Sequence, residues 1–328
     1  MLVIAEKLAI VEWAYPVLSQ LYPGESFEYV QSHPYGLPFV FDYPSKLSWH
    51  DYPLWLPAQY RLNPTAQRGA VVSSTRASPS HYDYVSMPTH LRAIALCDPS
   101  SSAVLAIERM RKMLHELGKF NEWLGTFTFY SLTEEDIRKR MAEPLTTAQI
   151  EHACASAQLK ADFDFSFLVN SAGLLTRCYH SAGGEAASPV LSKYMVQTLY
   201  AVRNLASRWD NGVPYFLTEG KLFSLMQRWK GTGRYPSEPA SECVSLGSCA
   251  SRGEIIESLK HYGLISHHSK QLGLTEVGTR FLERLHPDCE DPDLPYRLAQ
   301  WQNTPLESRQ AVQRYIRTWF GKQKRFMG

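Results

Sequence analysis

The pattern of apolar and polar residues predicts an α/β domain over residues 1–130. Leu2–Ala5 is a short apolar run that ends at Glu6, and Leu91–Cys97 is a second run that ends at Asp98. Short apolar runs of this kind are typical of buried strands. Open α/β sheets place their functional groups at the carboxyl ends of the strands, so we expect both carboxylates at such an edge.

The rest of the pattern predicts a helical domain over residues 131–328. Within the first domain, apolar residues recur with helical spacing at 103–117 and predict a helix. Residues 69–88 of the same domain are rich in Ser, Thr and Pro and predict a surface loop. From Ser131 onward the chain is almost entirely helical in pattern, and Thr133 is a plausible N-cap. The acidic segment 288–293, flanked by prolines, predicts a solvated loop.

Residues 251–285 predict a winged-helix-like unit within the helical domain. A helix begins at Ser251 and ends at His261, two short strands form a hairpin, and Thr275 caps a second helix. Helix, hairpin and helix in this order serve other proteins both as DNA readers and as packing modules.

Composition limits the classes of partner. The chain has 328 residues, of which 44% are hydrophobic and 20% are charged, which is typical of folded domains. The formal net charge is only +2, so a DNA-binding surface has to be a local patch. The six cysteines form no Cys-x-x-Cys pair, which favours reduced, buried thiols. No apolar stretch reaches the roughly 18 residues of a membrane span, and we expect a cytoplasmic protein that makes no membrane contact.

Six segments, in sequence order, resemble motifs of the type IA DNA topoisomerases, closest to the topoisomerase III branch. They are residues 1–64, 129–137, 192–198, 216–222, 247–256 and 274–278. Within the first, His33–Leu37 and Tyr52–Leu62 follow the Glu6 strand at the spacing seen in the Toprim domain of that family. The resemblance implies a Toprim-like α/β domain followed by the helical DNA-binding head domains of the family.

The resemblance also implies a Mg²⁺ site, but most of its ligands are absent. The Asp-x-Asp-x-x-Gly-Glu-like run of the family reads Cys97-Asp98-Pro99-Ser100-Ser101-Ser102-Ala103 here, so only Asp98 is retained. Glu6 and Asp98 offer two hard carboxylate ligands, which would hold Mg²⁺ weakly. Alternatively, they are a relic pair, and Lys7 partners one of them. We therefore interpret Glu6, Lys7 and Asp98 as remnants of a catalytic centre and expect no cofactor other than a weakly held Mg²⁺.

The segment that would carry the nucleophile is also absent. In the family, several hundred residues form an arch with a tyrosine in an Ile-Thr-Tyr-Pro-Arg-Thr-Asp-like segment, whereas here only residues 200–215 lie at that place. Tyrosine precedes proline at positions 15, 22, 43, 52 and 235, but no such pair is followed by Arg-Thr. A phenol needs activation to act as a nucleophile, and no tyrosine has a context that supports it. The sequence thus predicts a protein without strand passage of its own.

Several polar residues stand at positions that the family uses to bind single-stranded DNA. Met195 replaces the family arginine, and Lys193 lies two residues earlier as a substitute. At the C-terminus basic residues interleave with aromatic ones, which suits phosphate contacts with base stacking; the alternative is an amphipathic helix that packs Tyr315 and Trp319 inward. The candidate DNA-binding residues are Arg177, Lys193, Gln197, Thr198, Arg252, Lys322, Lys324 and Arg325.

These observations favour a catalytically inactive topoisomerase IA-like protein that partners single-stranded DNA. It would act as a binding or scaffolding subunit, with other proteins, in a DNA-processing, mobile-element or defence complex. Three alternatives stay open: a metal-dependent Toprim nuclease that uses Glu6 and Asp98, one half of a split topoisomerase, and a purely protein-binding scaffold.

Overall fold

A computed structural model describes residues 1–32, 39–44, 46–62, 69–72, 77–80, 84, 87–206, 209–210, 213–229 and 244–328. The chain forms two compact units, one of residues 1–43 and 58–159 and the other of residues 44–57 and 160–328. The first unit therefore extends beyond residue 130, where the sequence pattern changes. The motif His33–Leu37 lies outside the described residues.

The first unit contains both strands and helices. Its elements are β1 (Leu2–Ala5), α1 (Leu8–Leu21), β2 (Phe27–Gln31), β3 (Phe39–Phe41), β4 (Tyr60–Leu62), β5 (Gly69–Val72), β6 (Ala77–Ser80), β7 (His90–Cys97), α2 (Ser101–Glu116), β8 (Phe120–Thr128) and α3 (Glu134–Arg140). Six strands form one sheet in the order β6-β5-β2-β1-β7-β8, and the four from β2 to β8 are parallel. Strands β3 and β4 pair separately. The predicted α/β character of this region is confirmed.

Both faces of the parallel sheet are buried, each beneath one helix. Val3 and Ala5 of β1 pack with the buried face of α1, whereas Leu2 and Ile4 pack with α2. Successive side chains of a strand point to opposite faces, so a run that is apolar at every position fits only a sheet covered on both sides. This is why Leu2–Ala5 shows no alternation of apolar and polar residues.

The predicted loop over residues 69–88 is wrong in part. Strand β5 pairs antiparallel with β2, and β6 pairs antiparallel with β5 at the edge of the sheet. Pro79 lies in β6, where an edge strand tolerates a residue that lacks a backbone N–H. Strand β5 pairs with β2 and β6 only with β5, and neither pairing can be read from the Ser-, Thr- and Pro-rich composition of the segment.

The second unit consists largely of helices, and one helix contributes to both units. The remaining elements are α4 (Thr147–Ser181), α5 (Lys193–Ala206), β9 (Trp209–Asp210), β10 (Val213–Pro214), α6 (Glu219–Gln227), α7 (Cys249–His261), β11 (Ile265–His268), β12 (Gln271–Leu274), α8 (Glu276–Glu283), α9 (Leu294–Asn303) and α10 (Pro305–Phe326). Helix α7, the antiparallel hairpin of β11 and β12, and helix α8 follow in the predicted order. In the described part of the chain, no helix combines the length and apolarity that crossing a membrane demands.

Local hydrogen bonds explain most helix starts. The predicted caps Thr133 and Thr275 are confirmed, since their side chains accept from the backbone N–H groups of Asp136 and Gly278. The predicted start of α7 at Ser251 is wrong. Ser248 is the N-cap there. Its side chain accepts from the N–H of Ser251, and the Ser251 side chain accepts from the N–H of Ser248, so the two residues form a capping box.

Aromatic side chains form much of the core of the second unit. Phe167 of α4 lies 5.2 Å from Trp319 and 4.9 Å from Phe320 of α10, measured between ring centres. Phe163 lies 6.0 Å from Tyr315 in the same way. Edge-on and tilted ring pairs at these separations stabilise a core beyond the area they bury. Tyr315, Trp319 and Phe320 therefore point inward, as in the amphipathic alternative, whereas Phe326 is 49% exposed.

Candidate functional site

The carboxyl ends of β1 and β7 lie side by side. The two strands are adjacent and parallel, with Ala5 opposite Leu96. Glu6 and Asp98 follow these strands directly, one residue after β1 and one after β7. The sequence predicted this placement from two apolar runs that each end in an acid, and the strand pairing that it requires is present.

The carboxylate of Asp98 is paired with the side chain of Lys7. Its ammonium group forms an ion pair with Asp98 Oδ2, and both side chains are exposed to solvent in large part. The hydrogen bond to Asp98 raises the pKa of Lys7, and the charge of Glu6 adds to this. Lys7 is therefore a cation throughout the neutral range, and it stands where a metal ion would have to bind.

The serines that replace the family acids start a helix. Ser100 is the N-cap of α2, and its Oγ accepts a hydrogen bond of 3.2 Å from the N–H of Ala103. Within the described ranges, no three or more His, Cys, Asp or Glu side chains are grouped as metal ligands would be. Since Mg²⁺ requires oxygen ligands and Asp98 is already paired with Lys7, the donor set at this edge fits the ion poorly.

Lys193 is directed into the second unit and not to its surface. Its side chain is 2% exposed, and its ammonium group forms an ion pair with Asp164. The Lys193 nitrogen also lies 4.4 Å from the ring centre of Phe163. Burial alone would raise the pKa of Asp164, but the charges of Lys160 and Lys193 outweigh it and hold the pKa at about 2. The sequence placed Lys193 at a DNA-facing helix start, whereas Asp164 binds its charge inside the fold.

Gln197 and Thr198 are likewise committed to the protein. Gln197 Nε2 donates to the carbonyl of Cys289 at 2.9 Å, and its Oε1 accepts from the N–H of Asp291 at 3.0 Å. Thr198 is buried and donates to the carbonyl of Tyr194 at 2.7 Å. Gln197 thus connects helix α5 to the segment 288–293, whereas the hydrogen bond of Thr198 stays within α5.

The segment 288–293 is not the solvated loop that its acids suggested. Asp291 is buried, pairs with the guanidinium of Arg297, and accepts a 2.7 Å hydrogen bond from the hydroxyl of Tyr315. Burial and the Asp291 charge raise the pKa of Tyr315. The prediction was wrong because a cation and a phenol on neighbouring helices compensate the buried acid, and no local pattern reveals them.

Arg252 packs against an aromatic ring. The residue is 6% exposed, and its guanidinium carbon lies 5.4 Å from the ring centre of Phe223 in helix α6. A guanidinium on a ring face is held by dispersion and by the ring quadrupole. This candidate residue therefore connects α7 to α6.

The segment 44–57 is fixed onto helix α4 by reciprocal hydrogen bonds. The Asn170 side chain accepts from the N–H of Leu54 at 2.8 Å and donates to its carbonyl at 2.7 Å. The Ser166 hydroxyl bonds both backbone groups of Leu56 in the same manner, at 2.9 Å each. Gly173 leaves space for the ring of Tyr52, because a Cβ there would lie 2.1 Å from a ring carbon. The position of this extended segment is thus closely determined.

Two candidate residues, Arg177 and Lys324, meet on the ring of Trp49. The Arg177 guanidinium carbon lies 4.6 Å from the ring centre and the Lys324 nitrogen lies 5.4 Å from it. Lys324 also donates a 2.7 Å hydrogen bond to the carbonyl of Tyr52. Arg177 is exposed, while Trp49 and Lys324 are half-buried. We call Trp49, Arg177 and Lys324 the tryptophan cluster.

The last two candidate residues lie on the outer side of α10. Lys322 forms an ion pair with Asp288, and Arg325 is exposed. Sequence reasoning did not single out Trp49, because nothing local links it to residues on α4 and α10. The sequence signal that could have indicated it is a tryptophan three residues before the Tyr52–Leu62 motif.

Comparisons with known proteins identify no relative. No protein-family model matches the sequence, and no curated protein shows a significant match. The resemblance to type IA topoisomerases therefore stays a prediction that depends on the six segments.

Proposed function

We propose that this chain is a catalytically inactive, arch-less relative of type IA topoisomerases that binds single-stranded DNA within a larger protein assembly. The Toprim-like interpretation is supported by four parallel strands that bring Glu6 and Asp98 to one edge. Inactivity is supported by Lys7, which neutralises Asp98, and by the serine run, which begins a helix. The helix–hairpin–helix of α7 to α8 is the winged-helix-like unit of this proposal.

The observation that carries the DNA-binding part is the tryptophan cluster. Nucleobases stack on aromatic rings and on guanidinium planes, and the adjoining phosphates are attracted by cations. Trp49 supplies the ring, while Arg177 and Lys324 supply two positive charges within 5.4 Å of its centre. The reciprocal hydrogen bonds of Asn170 and Ser166 hold the segment that carries Trp49, so little ordering is needed on binding.

Binding of a fluorescent oligothymidine to the whole chain, followed by anisotropy across a salt series, tests the proposal. Trp49→Ala should lower the affinity by about 1–3 kcal/mol, the usual contribution of one stacked base. Trp13→Ala is the matched control, since Trp13 is 62% exposed on helix α1 of the other unit. Absence of wild-type binding at low salt, or equal effects of the two substitutions, would contradict the proposal and favour a protein-binding scaffold.

A further inference from the structure

The basic residues of helix α10, apart from Lys324 of the tryptophan cluster, fall into two sets. Arg309 lies 3.5 Å from the buried carboxylate of Asp162, and Lys322 pairs with Asp288. These charges are compensated within the protein. Three further arginines form no ion pair with any residue that the structure describes, and all three are exposed: Arg314, Arg317 and Arg325.

These three arginines share one side of the helix. They line an open depression of about 480 Å³ together with Gln310, Gln313 and Thr318. The surrounding side chains are thus hydrogen-bond donors, and no carboxylate is among the lining residues. We call Arg314, Arg317 and Arg325 the arginine face.

The helix that carries the arginine face is fixed from behind. Val312, Ile316 and Phe320 are almost fully buried on its opposite side, and the indole of Trp319 packs against Phe167. Because this side of α10 is part of the aromatic core, the backbone beneath the arginines is held in place. From Arg314 to Arg325 the face extends about 17 Å along the helix axis, at the usual rise per residue.

We infer that the arginine face binds the phosphodiester backbone of single-stranded DNA, an inference that rests on the proposed function and names its main phosphate-binding surface. A face of about 17 Å is long enough to contact more than one phosphate of the same strand at once. Guanidinium groups bind phosphate oxygens through paired N–H donors, and the glutamine and threonine side chains add neutral donors. Lys324, the residue before Arg325, connects the face to the tryptophan cluster.

The chemistry of the lining favours nucleic acid over an acidic protein. Protein interfaces are centred on buried apolar or aromatic anchors, and the arginine face has none among its lining residues. A phosphate backbone needs no such anchor, because its affinity comes from charge neutralisation and counterion release. The arginine face therefore lacks the apolar anchor that a protein partner would require, and it has the positive charge that a polyanion requires.

The first test removes the three charges together. Arg314→Gln, Arg317→Gln and Arg325→Gln combined should weaken oligothymidine binding about ten-fold or more at low salt and lower the slope of log affinity against log salt by about 2, at roughly 0.7 per phosphate contact. The matched control is Lys112→Gln, Lys139→Gln and Arg228→Gln combined, which removes the same charge from exposed side chains elsewhere that also form no ion pair with the described residues. The control should keep the wild-type slope.

The second test uses Gly321, which lies one helical turn from both Arg317 and Arg325. A Cβ at Gly321 would meet its nearest atoms at 3.8 and 3.9 Å, so an added side chain fits there. Gly321→Glu places a carboxylate between the two guanidinium groups and should weaken binding, although less than the triple substitution, because it changes the charge by one and not by three. Gly321→Ala fills the same place without charge and should bind like wild type. Thermal unfolding followed by circular dichroism checks that all variants fold.

The outcomes separate this inference from the proposed function. If the wild type does not bind oligothymidine, the proposed function fails and this inference fails with it. If the wild type binds, and the triple substitution and Gly321→Glu leave the affinity and salt slope unchanged, only the arginine face is refuted. If a polyglutamate peptide of the same charge competed with oligothymidine as well as unlabelled oligothymidine does, the assignment would also be overturned, since the face would then bind any polyanion.

Discussion

The ammonium group of Lys7 is paired with the carboxylate of Asp98 at the carboxyl ends of two adjacent parallel strands. A divalent ion at this edge would compete with the Lys7 ammonium group for the Asp98 carboxylate. The ion pair is largely exposed, so its contribution to folding is small, about 0–1 kcal/mol. Its consequence is chemical, because the positive charge of Lys7 offsets the negative charge that Asp98 offers to a metal ion.

We therefore expect no metal-dependent cleavage of DNA by this chain. Supercoiled and single-stranded DNA incubated with the wild type and with Mg²⁺ or Mn²⁺ should stay intact, and Glu6→Gln should behave identically. The measurement is the conversion of supercoiled to nicked circles on a gel. Nicking by the wild type that disappears in Glu6→Gln would show that the centre is active and would restore the nuclease alternative.

Elements set by local chemistry were predictable from sequence. Strand β1 follows from its apolar run, the caps at Thr133 and Thr275 follow from residue type, and the hairpin of β11 and β12 follows from the spacing between two helices. Each of these elements depends on residues that are close in sequence, so the order of apolar, polar and capping residues is enough to predict it. The adjacency of the Glu6 and Asp98 strands came from the family resemblance and from the general rule for parallel sheets.

Features set by distant partners were not predictable. Lys193 reads as a helix-start cation, and only Asp164 on another helix determines that it is buried. Trp49 acquires its two cations from α4 and α10, and Asp291 acquires its partners from α9 and α10. A single sequence gives no information about such pairings, since charged side chains are on average exposed.

The buried ion pair of Lys193 should stabilise the second unit. Lys193→Met removes the cation and leaves Asp164 with Lys160 alone, so we expect a loss of about 2–3 kcal/mol, below the 3–5 kcal/mol of a wholly buried pair. Lys160→Met is the comparison, because Lys160 also pairs with Asp164 but its side chain is 33% exposed, so we expect a smaller loss of about 1 kcal/mol. Urea unfolding measures both. If Lys193→Met kept the unfolding free energy of the wild type but bound DNA more weakly, Lys193 would instead be a DNA-binding residue.

Acid should destabilise the fold through Asp164. Its pKa is held at about 2, below the ordinary 3.8, so the unfolded chain binds the proton more readily than the folded one. The resulting stability is present above pH 4 and is lost as the pH falls from about 4 to about 2. A shift of this size corresponds to about 2 kcal/mol. The difference in unfolding free energy between the wild type and Asp164→Asn should shrink over this pH interval; a constant difference would contradict the assignment.

Gly278 is required by a close approach of two backbone segments. It lies in the first turn of α8, and a Cβ there would lie 2.0 Å from the carbonyl oxygen of Leu264, a backbone atom that cannot move aside easily. Gly278→Ala should therefore cost about 1–3 kcal/mol or more of unfolding free energy. Gly253→Ala is the matched control in α7, because a Cβ there meets no atom within 4 Å. In an exposed helix interior this change should stabilise the protein by up to about 1 kcal/mol. Thermal unfolding of both variants gives the comparison, and equal melting temperatures would mean that α8 does not pack on Leu264 as described.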